Sequence, residues 1–575
     1  MGAFYLSRNE GEFSLQKKRV KSVFEKQGFS NIIDLSSEYQ TLFYCAKINV
    51  TGEQYYYLDK NNFCIITGTL IYKKLIGEDA SKAIFDDFSQ DRIDTGELYG
   101  NFAIALSLRG ELRVYTDTQG VYNVWHNRKK SIVSSSFLAV AEAVGELSVN
   151  VNAVYEYVFQ EATFGGDTVL NEVRRLKVKQ GLLLEEEGHY IDPLVMDKGV
   201  SCDDSFNGYL ERSKSALSKQ FEAITRCFSG KVDSALSGGY DSRLLLALSI
   251  EQGVKPFLHV YGSDDDADVK VAKNVCLGEN LDLSHEDKSG FPEIPPNQFG
   301  SIVEKNFYAF QGVCPDGVLD NGSDLLTRHQ RTKGGRLLLN GGGGEVFRNF
   351  FYLPNRPYRA LNILWSFYSR FNPDVCTSRF NEKKYYHVLE TKIYEQLGVD
   401  GGVLSRQQVE SLYGGFRCTY WMGVNNSINN QFGYFLTPFV EEVISQTALS
   451  VPIKYKNYGC FQAKLINKVS PRLASYLSDY GHNFSETVPI RRKLKDLATL
   501  VRPTWLRKYT FRLKKQDRKS WPYYLGREYI DEVLPDGWDV MSEFFIVDKL
   551  TDSGQFNRAV TLEYLFQKLD VGIKN

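Results

Sequence analysis

From Met1 to about Asp192, apolar residues come in short runs broken by turn signals. The runs Gln54–Leu58, Phe63–Gly68, Phe102–Ser107 and Glu111–Tyr115 have the length of strands, and Asn101 and Arg109-Gly110 punctuate them. Such runs predict sheets packed in layers, an α+β half. From Asp192 to Asp204 the chain turns polar and loses periodicity, and from Ser205 to Phe228 apolar residues return at helical spacing. A domain boundary is expected there, dividing the chain into 1–195 and 205–575. Beyond it the order becomes strand (Asp233–Leu236), glycine loop (Ser237–Ser242), helix (Arg243–Glu251) and strand (Pro256–Tyr261). That succession predicts an α/β half, a parallel sheet flanked by helices.

Length agrees with two domains, since 575 residues exceed what one core usually holds. The net charge of -1 supplies no field that would recruit nucleic acid, so no nucleic-acid partner is expected. The first residues lack a basic region followed by an apolar run, and no stretch approaches ~18 uninterrupted apolar residues, so a cytoplasmic protein is expected. Nine cysteines without a Cys-x-x-Cys pair and seven unclustered histidines argue for reduced thiols and against a dedicated His/Cys metal site. One local bias stands out. Arg491 to Lys519 is dense in Lys and Arg, opposed only by Asp496 and Asp517, and carries Trp505, Tyr509 and Phe511. It reads as a solvated helical face or as a docking surface for a phosphate-bearing or membrane-linked substrate.

The candidate chemistry lies in Ser237-Gly238-Gly239-Tyr240-Asp241-Ser242. Between a strand and a helix, this loop would present backbone N–H groups and hydroxyls to an anion at the positive end of the helix. It lacks the Gly-Lys-Ser/Thr ending of a Walker A loop, which weakens a kinase or GTPase reading. Asp241 has no basic neighbour before Arg243, so a carboxylate beside bound phosphates implies an intervening hard cation, Mg²⁺. The string closely resembles the pyrophosphate loop of the N-type ATP pyrophosphatases.

Further segments extend the resemblance. Leu258–Gly262 followed by Asp268–Ala272, then Asn340-Gly341-Gly342-Gly343-Gly344-Glu345-Val346-Phe347, then Thr437-Pro438-Phe439 occur in the order seen in the asparagine synthetase family, which includes β-lactam synthetases and lasso-peptide cyclases. Leu98–Ala103, Asp117–Tyr122, Ser134–Ala139 and Tyr155–Gly188 resemble that family's glutaminase domain. The resemblance implies an Ntn-type layered sandwich followed by an ATP-pyrophosphatase domain. It also implies ATP and Mg²⁺ as cofactors, with Gly238, Gly239 and Ser242 on the phosphates and Leu236, Ser237, Tyr261, Asn340 and Gly341 completing the nucleotide site. Asp241 and Glu345 would hold the metal.

Three departures qualify it. A glutaminase of this class needs a cysteine at its processed N-terminus, yet Met1 precedes Gly2 and the first cysteine is Cys45, so the first domain is expected to be structural or part of the substrate cleft. A family carboxylate implicated in aspartyl-adenylate formation becomes Gly342, which makes aspartate an unsafe substrate guess. The family's late catalytic lysine segment is replaced by Ser478–Phe484, leaving His482 as the candidate catalytic cation. The expectation is an AMP-forming carbon–nitrogen ligase acting on a small-molecule, saccharide or peptide carboxylate with ammonia or a substrate amine. A membrane-linked substrate and a homodimer are compatible with it. Peptide cyclisation, nucleobase modification and non-catalytic nucleotide binding are the alternatives.

Overall fold

The computed structural model describes residues 1–8, 13–37, 40–52, 55–194, 204–510, 512, 518 and 521–573. Gln54, Phe511, Asp517 and residues 195–203 of the expected boundary lie outside them.

The first half builds two six-stranded antiparallel sheets. One runs, edge to edge, Val173–Arg175, Trp125–Asn127, Ile132–Ser134, Ala3–Ser7, Thr41–Cys45 and Ile32–Asp34. The other runs His189–Ile191, Gly181–Leu183, Glu111–Thr116, Leu98–Leu108, Asn62–Tyr72 and Tyr55–Asp59. Alternation along each strand divides its side chains between two cores. Phe4, Leu6, Leu42 and Tyr44 of the first sheet share one core with Phe63, Ile65, Ala103 and Val114 of the second. The intervening Tyr5, Phe43 and Cys45 meet the helices Phe13–Lys26 and Phe137–Val144, while Cys64, Ile66 and Ile104 meet the helix Gly77–Ser89. Burial on both faces is why these runs read as nearly continuous apolar stretches.

Two of these strands are longer than the sequence pattern predicts. Asn101, read as a turn signal, pairs with Thr69 inside the ladder, and Gly68, the last residue of one predicted run, and Gly100 sit inside paired strands with φ of 89° and 131°. A Cβ on either would overlap the backbone of the facing strand, so glycine here permits close approach rather than ending the strand.

The second half is organised on a five-stranded parallel sheet in the order Leu283–Glu286, Phe257–Tyr261, Val232–Ala235, Leu337–Leu339, Tyr434–Leu436. The helix Phe206–Phe228, capped by the Ser205 hydroxyl, packs on one face with Leu244, Leu245 and Leu248. Leu246, Val269 and Val275 cover the other. The core does not divide between the two halves. The helix Val151–Gln160 lies among C-terminal residues, with Phe159 stacked on Phe371 at 4.3 Å and Glu156 paired to Lys392 at 2.6 Å. No helix among the described residues is long and apolar enough to cross a membrane.

Candidate active site

The strand Val232–Ala235 is the topological pivot of the parallel sheet. Its chain leaves toward Phe257–Tyr261 on one side, and Leu337–Leu339 is added later on the other. A crevice opens where such connections diverge, beyond the carboxyl ends of the strands. Both glycine-rich segments end there, and the structure brings them into contact. A Cβ on Gly341 would lie 3.2 Å from Ser242 N, and one on Gly344 would overlap Asp241 Oδ1.

The helix begins earlier than the sequence pattern predicts, spanning Tyr240–Glu251 with Gly239 as its N-cap. Asp241 and Ser242 therefore belong to its first turn, not to the loop. No side chain caps this end. The loop is tied to itself instead: Ser237 N–H donates to Ser242 Oγ at 3.0 Å, and Ser242 Oγ donates to Ser237 O at 3.2 Å. Gly238 N–H donates to Asp268 Oδ1 at 2.7 Å, and Asp479 N–H donates to Gly238 O at 3.3 Å. Arg243, fully buried, fixes the strap above the loop by donating to Tyr476 O and Leu477 O at 2.7 and 3.0 Å. Phe484 at the far end of that strap stacks on Tyr240 at 4.2 Å.

Asp241 and Glu345 converge on one cation. Arg348 Nη2 lies 2.8 Å from Asp241 Oδ2 and 3.2 Å from Glu345 Oε1. Gln462 Nε2 donates to Asp241 Oδ1 at 2.7 Å, and Tyr413 Oη donates to Glu345 Oε2. Burial, reinforced by Glu345, holds the Asp241 carboxyl above its ordinary value even beside Arg348. Burial likewise pushes the Tyr413 phenol well up, so it remains a donor. Tyr413 opens a π-helical stretch, Tyr413–Met422, of the kind that clusters at functional sites. Arg348 satisfies the charge on Asp241 from which Mg²⁺ was inferred, and no three His, Cys, Asp or Glu side chains converge as a metal site among the described residues.

The remaining predicted site residues fall as follows. Leu236 is buried, its N–H donating to His259 O at 2.9 Å. The Tyr261 hydroxyl accepts from Arg331 Nε at 3.2 Å, and Asn340 Oδ1 accepts from Gly342 N–H at 2.9 Å. His482 is buried on the strap, with Nδ1 3.4 Å from Tyr480 O and Nε2 unpartnered among the described residues. It bonds to neither Asp241 nor Glu345. Cys45 is buried in its strand, and burial pushes its thiol well above the usual range, away from nucleophilic use.

Sequence reasoning did not single out Arg348, Tyr413, Gln462 or Asp479. Arg348 carried a signal, standing three residues after Glu345, whereas Tyr413 and Gln462 arrive from elements far away in the chain. Arg348 borders three cavities, of about 310, 90 and 460 Å³. The first also takes Glu345, Tyr413 and Arg406, with Gln119, Val178 and Lys179 contributed by the first half.

No family model and no curated protein matches the chain. Among solved structures, one similar chain is a glutamine phosphoribosylpyrophosphate amidotransferase from B. subtilis complexed with ADP and GMP, at 8% identity and a TM-score of 0.24. The match covers 50% of this chain and 66% of that one. A superposition that loose sets neither fold nor activity.

Proposed function

We propose that the protein is an ATP-dependent ligase that adenylates a substrate carboxylate, releasing pyrophosphate, and passes the acyl group to ammonia or a substrate amine. The observation that carries this reading is the uncapped N-terminus of the helix Tyr240–Glu251, standing at the pivot of a parallel sheet and touching the Asn340–Phe347 segment. Backbone N–H groups there suit phosphate oxygens, and Gly239 leaves the approach open, its nearest neighbours being Ser237 Oγ at 3.6 Å and Tyr480 Oη at 3.8 Å from a Cβ position.

The oxygen donors that a magnesium nucleotide would meet at this end are Asp241 and Glu345, which now share Arg348. Asp241 and Glu345 would hold the ion, which when bound supplies charge neutralisation for the phosphates. The chain's own residues divide the remaining work. Ser237, Gly238, Gly239 and Ser242 position the phosphates. Arg348, held by two carboxylates, places a guanidinium where negative charge develops. The cavity of about 310 Å³ beside Glu345 and Arg348 receives the carboxylate substrate, with Gln119, Val178 and Lys179 forming the far wall. In this reading the two facing sheets of the first half are an Ntn-type sandwich that serves as a wall of the cleft.

A second reading, nucleotide binding without catalysis, is favoured by the way Arg348 already neutralises Asp241 where a catalytic metal would sit. Product analysis separates the two. Protein supplied with Mg-ATP and a small-molecule extract of the source cells should yield AMP and pyrophosphate, and the Asp241→Asn variant should not. ADP as the only product, or identical behaviour of both proteins, would refute the ligase.

A further inference from the structure

The helix Ile490–Val501 is built inside out. Ile490, Leu494, Leu497 and Val501 fall within about 60° of arc at 100° per residue, and all four face solvent, Ile490 at 76% and Val501 at 65% exposure. Its protein side carries Arg492 and buried Asp496, paired at 3.4 Å, and Thr499. The next helix, Thr504–Thr510, continues the apolar surface with Trp505, Leu506 and Tyr509. Seven of the eighteen large apolar side chains exposed among the described residues thus lie between 490 and 509, which marks a patch rather than ordinary scatter. Arg491, Lys493 and Lys495 flank the stripe.

The cavity of about 460 Å³ is lined by Thr499, Arg502, Arg507 and Thr510 of this segment, by exposed Arg370, and by Arg348 and Glu345 of the candidate site. Among the described residues no carboxylate lies within ion-pair distance of Arg370, Arg502 or Arg507. Arg370 lies over the Phe367 ring, and Arg507 donates to the carbonyls of Phe351, Tyr352 and Thr499. Elsewhere in the segment Arg492 is paired with Asp496, and Lys508 and Arg512 share Glu382, each at 2.8 Å.

We propose that residues 490–510 dock the protein on an anionic lipid bilayer, the Ile490–Val501 stripe and Trp505 entering the headgroup boundary while the basic flanks and the arginine-lined cavity face lipid phosphates. An exposed apolar stripe bordered by Lys and Arg and carrying a Trp has the composition of an interfacial helix, and unmatched guanidinium groups complement an anionic surface. The docking places the mouth of a cavity that reaches Glu345 and Arg348 at headgroup depth.

The test is flotation of the full-length protein with phosphatidylcholine vesicles, with or without phosphatidylglycerol. Wild-type protein should float with the anionic vesicles, be released by high salt and remain behind with pure phosphatidylcholine. The Leu494→Glu/Val501→Glu variant, changed only at exposed positions, should keep its circular dichroism spectrum and melting temperature while its vesicle-bound fraction falls at least about tenfold. Trp505→Phe should remove the blue shift that anionic vesicles induce in the fluorescence. Failure to float, or equal flotation of wild type and double variant, overturns the proposal. So does a wild-type dimer in light scattering that the double variant converts to monomer, which would assign the face to a second copy of this chain.

Discussion

Two twelve-residue helices of this protein, Tyr240–Glu251 and Ile490–Val501, use their apolar residues in opposite ways. The first is buried over most of its circumference, from Tyr240 through Ser249, and leaves only its polar N-terminus facing a crevice. The second turns its apolar stripe to solvent and Arg492 and Asp496 to the protein, with Arg491 and Lys495 exposed beside the stripe. The pattern alone does not separate them, because an amphipathic sequence states that two faces differ and not which face the fold covers. The first helix is held by its leucines and, in the proposed function, offers its N-terminal backbone to a ligand. The second is held by polar contacts, and its leucines are left for something else.

The contrast can be broken most severely at the joint that the first helix serves. Arg348→Ala strands Asp241 and Glu345 with no cation, and a loss of about 4 kcal/mol is expected in urea titration. Within the helix, Leu245→Ala, at a fully buried position shared with Leu217 and Phe221, should cost about 3 kcal/mol.

Acidity offers a milder test. Glu441 is buried beyond Thr437-Pro438-Phe439, and burial pushes its carboxyl up to about 8, with Asp117 adding to the shift. A folded-state value above the ordinary 4.5 means that the folded protein holds the proton more tightly. Stability is then full at low pH and falls as pH rises through the window from 4.5 to about 8. Glu441→Gln should remove the share of that fall that Glu441 contributes, read from urea midpoints across the window. The smallest effect is expected on the second helix. Leu494→Ala, at an exposed position, should change stability by less than about 0.5 kcal/mol. A cost as large as that of Leu245→Ala would mean that the stripe is covered in solution.

Much of this architecture was legible in the chain. Short apolar runs located several strands of the first half, and the strand–loop–helix order located the parallel sheet. The errors came at turn-forming residues: Asn101 looked like a turn and lies inside a strand, Gly68 looked like a strand end and is a point of close approach, and Gly239 looked like mid-loop and is a helix cap. At the candidate site the loop residues were visible because they are contiguous. Arg348 was within reach of Glu345 but was passed over, and Tyr413 and Gln462 meet the site only through folding. The orientation of the Ile490–Val501 stripe was not readable at all, since it depends on Asp496 being buried beneath the helix and on Arg492 lying over the Tyr480 ring.

The central claim is that the N-terminus of the helix Tyr240–Glu251 receives the phosphates of ATP, and Gly239→Ala tests it most directly. Gly239 has φ −83° and ψ −178°, which any residue adopts, and an added Cβ meets nothing closer than 3.6 Å. The substitution should therefore leave folding unchanged while filling the space through which a phosphate approaches. In calorimetric titration with Mg-ATP, the account predicts binding to the wild type and an affinity at least about tenfold weaker for Gly239→Ala at an unchanged melting temperature. Equal affinity in the two proteins, or no binding to the wild type, would contradict it.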